Sequence, residues 1–321
     1  MRLRILLATA CLVLPATGGA SPVEVDSRIP AYAKTSGVSG NVDSIGSDTL
    51  NNLMTFWSEG FRKEYPNVRI QVEGKGSSTA PPALISGTAQ LGPMSRAMKS
   101  SEIDAFEAKF GYPPTQIRVA VDALAVYLHK DNPLTQMTLE QVDAAFSKTR
   151  RCGATEGLTT WGALGLTGAW ASKPIRLYGR NSASGTYGYF KETALCNGDF
   201  QDTVKEQPGS ASVVQGVTED PYAMGYSGIG YRTSGVKPVA LAKKAGEPFG
   251  TVEPEDVYAG RYPLARFLYV YVNKAPNSPA DPLVREFVRY VLSQEGQYVV
   301  VKDGYLPVAF NIVEQELAKL E

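Results

Sequence analysis

Four short stretches combine hydroxyl side chains with glycine or arginine at points where a strand should give way to a helix. They are Gly46-Ser47-Asp48-Thr49-Leu50, Gly74-Lys75-Gly76-Ser77-Ser78-Thr79, Met94-Ser95-Arg96, and the run from Arg180 through Thr186. A helix start exposes unpaired backbone N–H groups and a partial positive charge. A small oxyanion satisfies both. In the second stretch Pro81 and Pro82 suit a first helical turn and carry no N–H. The amides of Ser77, Ser78, Thr79 and Ala80 are then the donors on offer, and Gly74 and Gly76 let backbone approach a ligand closely. One such stretch is ordinarily a serine cap. Four in one chain, with Arg96 and Arg180 among them, point to an anion pocket. Arg180 supplies a planar fork of donors suited to an oxyanion, and its neighbours Asn181, Ser182 and Ser184 include no acid.

Nucleophilic and metal chemistry find little support. The chain has no G-x-S-x-G elbow, no phosphate-cradling G-x-x-x-x-G-K run and no H-E-x-x-H pair. His129 is the only histidine, at the end of an apolar run, where it reads as a half-exposed edge residue. No metal site, cofactor or catalytic step is expected.

Charge and length narrow the reading further. Lys+Arg and Asp+Glu both number 32 in 321 residues, a balance that favours neither nucleic acid nor an anionic membrane as partner. The length suits two domains. Residues 1–20 read as a cleaved export signal: Arg2 and Arg4, then an apolar core too short to span a bilayer, then small residues ending at Ala20. Lipidation at Cys11 would leave only ten residues before it, short for such a signal. In an oxidising compartment Cys152 and Cys196 read as a disulfide, worth roughly 4 kcal/mol in the chain-entropy model.

The elements that must position these loops alternate. Strands are expected at 42–46, 68–74, 174–180, 223–231 and 265–273, and a strand pair or one bent strand at 117–130. Helices are expected at 49–65, where Leu50, Leu53, Met54, Trp57 and Phe61 recur at helical spacing, and at 77–87, 100–111, 138–147, 184–195, 210–220 and through most of 281–321. Residues 21–41 read as an irregular lead-in. The alternation indicates α/β architecture. Two apolar extended segments, near 117–128 and 265–273, bracket a central block, which suggests a domain inserted in another and joined by two crossings.

In this order, "GSDTL", "GKGSSTAPPALISGTAQLGPMSR", "VAVDALAVYLHKDNPL", "GRNSASGTYGYF", "MGYSGIGY" and "YPLARFLYVYVNK" resemble the periplasmic phosphate-binding proteins of ABC phosphate importers, over about residues 40–308. The resemblance implies a two-lobed, type II Venus-flytrap α/β fold, each lobe a mixed sheet flanked by helices. Lobe 1 would comprise 40–120 and 266–321, and lobe 2 would comprise 121–265. It implies a monomeric periplasmic protein that captures inorganic phosphate and hands it to membrane permease subunits. The ligand set it implies is Thr49, Leu50, Ser77, Ser95, Arg180, Ser184, Gly185 and Thr186, with Ser78 and Arg96 beside them. One departure stands out: where well-known members place an Asp that accepts the phosphate proton, this chain has Ser95. A buried acceptor is still required. Asp48, inside the first loop, is the preferred candidate. Asp122 is the other, unless it orients an arginine or lies at the hinge. The departure keeps sulfate, molybdate or a phosphonate open as ligands, and a secreted phosphatase or other hydrolase is the rival of a different class.

Overall fold

The structure is a computed structural model and describes residues 23–321; the expected export signal lies outside the described residues. The first half of the chain runs β1 (Gly40–Ile45), α1 (Asn51–Glu64), β2 (Val68–Glu73), α2 (Ala80–Ser86), β3 (Gly92–Met94), α3 (Ser100–Phe110) and β4 (Thr115–Ala123). The middle holds β5 (Ala125–His129), β6 (Gln136–Thr138), α4 (Leu139–Phe146), β7 (Arg176–Arg180), α5 (Gly185–Ala194), β8 (Lys205–Gln207), α6 (Ser210–Glu219), β9 (Ala223–Ser227), β10 (Val236–Pro238), β11 (Ala240–Ala242) and α7 (Pro254–Tyr258). The chain closes with β12 (Ala265–Val272), α8 (Pro282–Val291), α9 (Gln294–Lys302) and α10 (Phe310–Ala318).

Two large hydrophobic cores result, and a smaller one of Ala80, Leu84, Met94, Met98, Phe106 and Tyr271 packs α2 and α3 against β3 and β12. In the first, α1 turns Leu53, Met54, Trp57 and Phe61 inward against Phe287 and Val291 of α8 and against β4 and β12. Parallel β1–β2 and antiparallel β3–β12–β4 form its sheets, bridged at Ser44 and Leu91. The second is built on the mixed sheet β10–β5–β9–β7–β8, where Phe146, Phe190 and Tyr226 stack beneath α4 and α5. Sheets flanked by helices around two separate cores make a two-lobed α/β fold.

The chain passes between the cores twice, at one place. β4 ends at Ala123 in the first sheet, and β5 starts at Ala125 in the second. Beside that break, Ala265 of β12 pairs with Ala123, and Leu124 N–H donates to Leu264 C=O at 3.0 Å. The apolar run at 117–130 is therefore two strands in two sheets, of the two arrangements its sequence allows.

Two other expectations need adjusting. The first helix starts at Asn51 and not Thr49, because residues 48–50 form a tighter turn with Leu50 N–H on Ser47 C=O. The lead-in is irregular, yet it is packed: Val25 and Ile29 are buried in the first core. Cys152 and Cys196 are disulfide-bonded. Among the described residues no helix is long and apolar enough to cross a membrane, and no cluster of three metal-binding side chains occurs.

Candidate functional site

Three of the four loops leave the first core and are stitched to one another by backbone. Ser47 N–H donates to Pro93 C=O at 2.7 Å, Gly46 N–H to Glu73 C=O at 3.0 Å, and Gly76 N–H to Gly46 C=O at 2.7 Å. The fourth leaves the second core: β7 ends at Arg180, and α5 begins at Gly185. Ser184 caps α5, its hydroxyl oxygen accepting from Thr186 and Tyr187 N–H at 3.1 and 3.4 Å.

The two sets meet face to face. Gly76, at φ +112°, runs so close to Ala183 that a Cβ there would stand 2.6 Å from the Ala183 carbonyl oxygen. Ser78 N–H donates to that same carbonyl at 3.1 Å. A Cβ on Gly185 would collide with the Ser77 hydroxyl and lie 2.7 Å from that of Ser95. Only glycine lets the start of α5 press against these serines.

Buried hydroxyls converge at this seam. Thr49 Oγ1 lies 2.9 Å from Thr186 Oγ1, and Ser95 Oγ lies 3.4 Å from it. Ser77 Oγ is 3.3 Å from Ser95 Oγ and accepts from Ser95 N–H at 3.0 Å. Ser47 Oγ donates to Ser95 Oγ at 3.0 Å. A group of rotatable O–H donors fed by two cores can wrap a tetrahedral oxyanion from several sides.

Arg180 stands beside this group, its side chain 2% exposed. Nη1 donates to Ser210 Oγ at 2.7 Å and lies 3.2 Å from Asp48 Oδ2, while Nη2 donates to Pro208 C=O at 3.0 Å. Nε is buried without a protein partner. Burial pulls the Arg180 pKa below its ordinary value and Asp48 pulls it back, but a guanidinium stays charged either way. The sequence shows no acid near Arg180; the structure supplies one from the other core. Asp48 Oδ2 also accepts from Ser210 N–H at 2.8 Å. Asp48 thus caps a helix, but it is α6 across the seam rather than the helix of its own loop.

A second arginine was not singled out from sequence. Arg266 in β12 lies opposite Asp122 of β4 in register. Its Nε and Nη2 reach Asp122 Oδ2 at 3.0 and 2.8 Å, Nη1 donates to Ser95 C=O at 2.8 Å, and Nη2 to Thr186 Oγ1 at 2.9 Å. Asp122 Oδ1 accepts from Ile229 N–H at 2.9 Å. Asp122 therefore orients an arginine at the crossing between cores, one of the two roles open to it. The signal was present: each strand carries its charge deep in an apolar run.

The remaining candidates sit further out. Arg96 is held by Glu102 in two bonds of 2.7 Å and reaches Ser78 Oγ only at 3.4 Å. It lines a cavity of about 840 Å³ at the mouth of the seam, with Ser78, Tyr187, Tyr189 and Arg266. The Leu50 amide bonds its own loop at Ser47 C=O, 3.3 Å away. Thr49, Ser77, Ser95, Gly185 and Thr186 are brought together, with Arg180 at their edge. Ser47 and Arg266 join them unforeseen.

Known proteins are similar to this chain. A family model described as a PBP superfamily domain matches residues 31–295. A phosphate-binding protein PstS of Pseudomonas aeruginosa is 58% identical over 321 residues, covering 100% of this chain and 99% of that protein. The chain belongs to the PstS phosphate-binding protein family. A more distant member, from Bacillus subtilis, is 26% identical over 95% of this chain and 93% of its own. Among solved structures, a protein of Clostridium perfringens provisionally assigned as a phosphate ABC transporter substrate-binding protein, with phosphate bound, aligns at TM-score 0.70. It is 25% identical and covers 84% of this chain and 100% of its own.

Proposed function

We propose that this family member captures inorganic phosphate between its two lobes and delivers it to the permease of an ABC importer, with no catalytic step. The observation that carries the reading is the seam itself: hydroxyls from both cores within 2.9–3.4 Å of one another, beside the buried guanidinium of Arg180. Thr49, Ser77, Ser95, Gly185 and Thr186 line the cage. Arg180 neutralises the anion, and its unpartnered Nε is the donor left for it. The hydroxyl of Ser184 holds the helix start by taking up the amides of Thr186 and Tyr187, which sets Gly185 and the Thr186 hydroxyl against the ligand. The 58% identical relative, named as a phosphate-binding protein, supports this ligand over other oxyanions.

Lobe 1 then comprises 40–120 and 266–321, and lobe 2 comprises 121–265, hinged where Ala123 pairs with Ala265. The protein works as a periplasmic monomer after removal of residues 1–20. Closure is a hinge motion that buries the ion and forms the Asp48–Arg180 contact. The test is calorimetric titration of residues 21–321, stripped of ligand by unfolding and refolding, with phosphate, sulfate and molybdate. Tight phosphate binding is expected. Absence of phosphate heat, or tighter molybdate or sulfate binding, overturns the reading.

A further inference from the structure

We infer that the proton carried by bound phosphate is read by the Ser95 hydroxyl, backed by Ser47, and not by a carboxylate. The inference rests on the phosphate reading above. It concerns how this chain recognises a protonated oxyanion at all.

The two acids beside the cage are already engaged. Asp122 accepts twice from Arg266 on one oxygen and from Ile229 N–H on the other. Asp48 Oδ2 accepts from Ser210 N–H and faces Arg180, while Oδ1 points at Gly209, about 3.1 Å from where a Cβ there would stand. Both carboxylates are held by an arginine and a backbone amide.

Proton accounting separates the hydroxyls. Thr186 Oγ1 accepts from the Arg266 guanidinium, and Ser77 Oγ accepts from the fixed amide of Ser95. An oxygen that accepts from a cation or a rigid amide is polarised into a stronger donor and a poorer acceptor. Ser95 Oγ differs. It is fully buried, and its partners are all rotatable, neutral hydroxyls: Ser47 donates to it at 3.0 Å, and those of Ser77 and Thr186 stand 3.3 and 3.4 Å away. It keeps a lone pair that neither a charge nor an amide has polarised. The start of α5 stands directly against it, because Gly185 has no side chain. A phosphate O–H seated there finds an acceptor, and Ser47 rotates to accommodate it.

A neutral acceptor makes a specific prediction. A carboxylate repels a fully ionised anion by its charge, whereas a hydroxyl whose own proton rests on the Ser77 or Thr186 oxygen offers only a neutral lone pair. Preference over sulfate should then come from one satisfied hydrogen bond, about 10- to 100-fold, rather than from charge repulsion.

The experiment is calorimetric titration of phosphate and of sulfate into wild-type protein, Ser95→Ala, Ser47→Ala, Asp48→Asn and Asp122→Asn, each checked for cooperative thermal unfolding. Ser95→Ala should weaken phosphate by about tenfold or more and sulfate by less, narrowing the ratio between them. Ser47→Ala, which removes only the hydroxyl behind Ser95, should narrow it by a smaller factor and serves if Ser95→Ala does not fold. Equal loss of both anions in Ser95→Ala, or collapse of the ratio in Asp48→Asn with Ser95→Ala unchanged, overturns the inference. Failure of wild-type protein to bind phosphate is a separate result and counts against the function itself.

Discussion

The molecule holds two acid–arginine pairs near its anion site, and they are built differently. Asp122 and Arg266 are 0% and 3% exposed, share two bonds to one carboxylate oxygen, and sit on paired strands at the crossing between cores. Asp48 and Arg180 meet once, at 3.2 Å, with Asp48 23% exposed, and they belong to different cores. Under the proposed hinge closure, the difference follows from what each must survive. Strands β4 and β12 stay paired whatever the lobes do, so their ion pair can be dry and bidentate. The pair across the seam must break whenever the lobes part, and a wetter single contact breaks at lower cost.

That comparison ranks the expected effects. Removing one partner of the dry pair leaves an uncompensated buried charge, so Arg266→Ala should lower unfolding free energy by about 3–5 kcal/mol in urea titration. A loss under 1 kcal/mol would place the pair in a wetter setting than the structure gives. Arg180→Ala should do the reverse. Phosphate affinity should fall by more than 100-fold in calorimetry, about 3 kcal/mol or more, while unfolding shifts little. Asp48→Asn keeps the shape but drops the charge that holds Arg180 and caps α6, so it should weaken phosphate by about tenfold. An effect as large as that of Arg180→Ala would mean Asp48 touches the ligand.

A third acid sharpens the contrast because it has no arginine. Asp303 ends α9, one carboxylate oxygen is buried without a partner, and Gly304 beside it lies against Gly230 of the other core. Burial pushes its pKa up to about 7, a hydrogen bond with Asn52 opposing. The folded value lies above the unfolded one, so ionisation is penalised in the folded state. The penalty is absent below about pH 4, grows as pH rises and is complete above about pH 7. Asp303→Asn should therefore be more stable than wild type by about 1 kcal/mol at pH 8, after allowing for partial exposure, with the gap closing at pH 4. Thermal melting at both pH values checks this, and an unchanged gap would contradict it.

Much of the site was legible because its parts are local. Hydroxyls and glycines at strand-to-helix junctions mark the four stretches that hold Thr49, Ser77, Ser95, Gly185 and Thr186 without any tertiary information, and the family resemblance singles those residues out within them. What escaped depends on partners far away in sequence. Asp48 reads as the proton acceptor inside the first loop, yet it caps a helix whose first residue is 162 positions away. Arg266 needed the register of β12 on β4, which an apolar strand does not announce. The break at Leu124 was similarly silent, since both strands are apolar and nothing punctuates the run. The alternation of strands and helices carried the fold class, because hydrophobic period is set by the element itself.

The central claim is that the lobes close on phosphate through Arg180, with the dry pair at the hinge left intact. Small-angle X-ray scattering tests it most directly, on ligand-stripped wild type and Arg180→Ala, with and without phosphate at a level that saturates wild type. The account predicts a smaller radius of gyration for wild type with phosphate and no change for Arg180→Ala, both remaining folded. Equal compaction of the two proteins, or none in wild type, would contradict it.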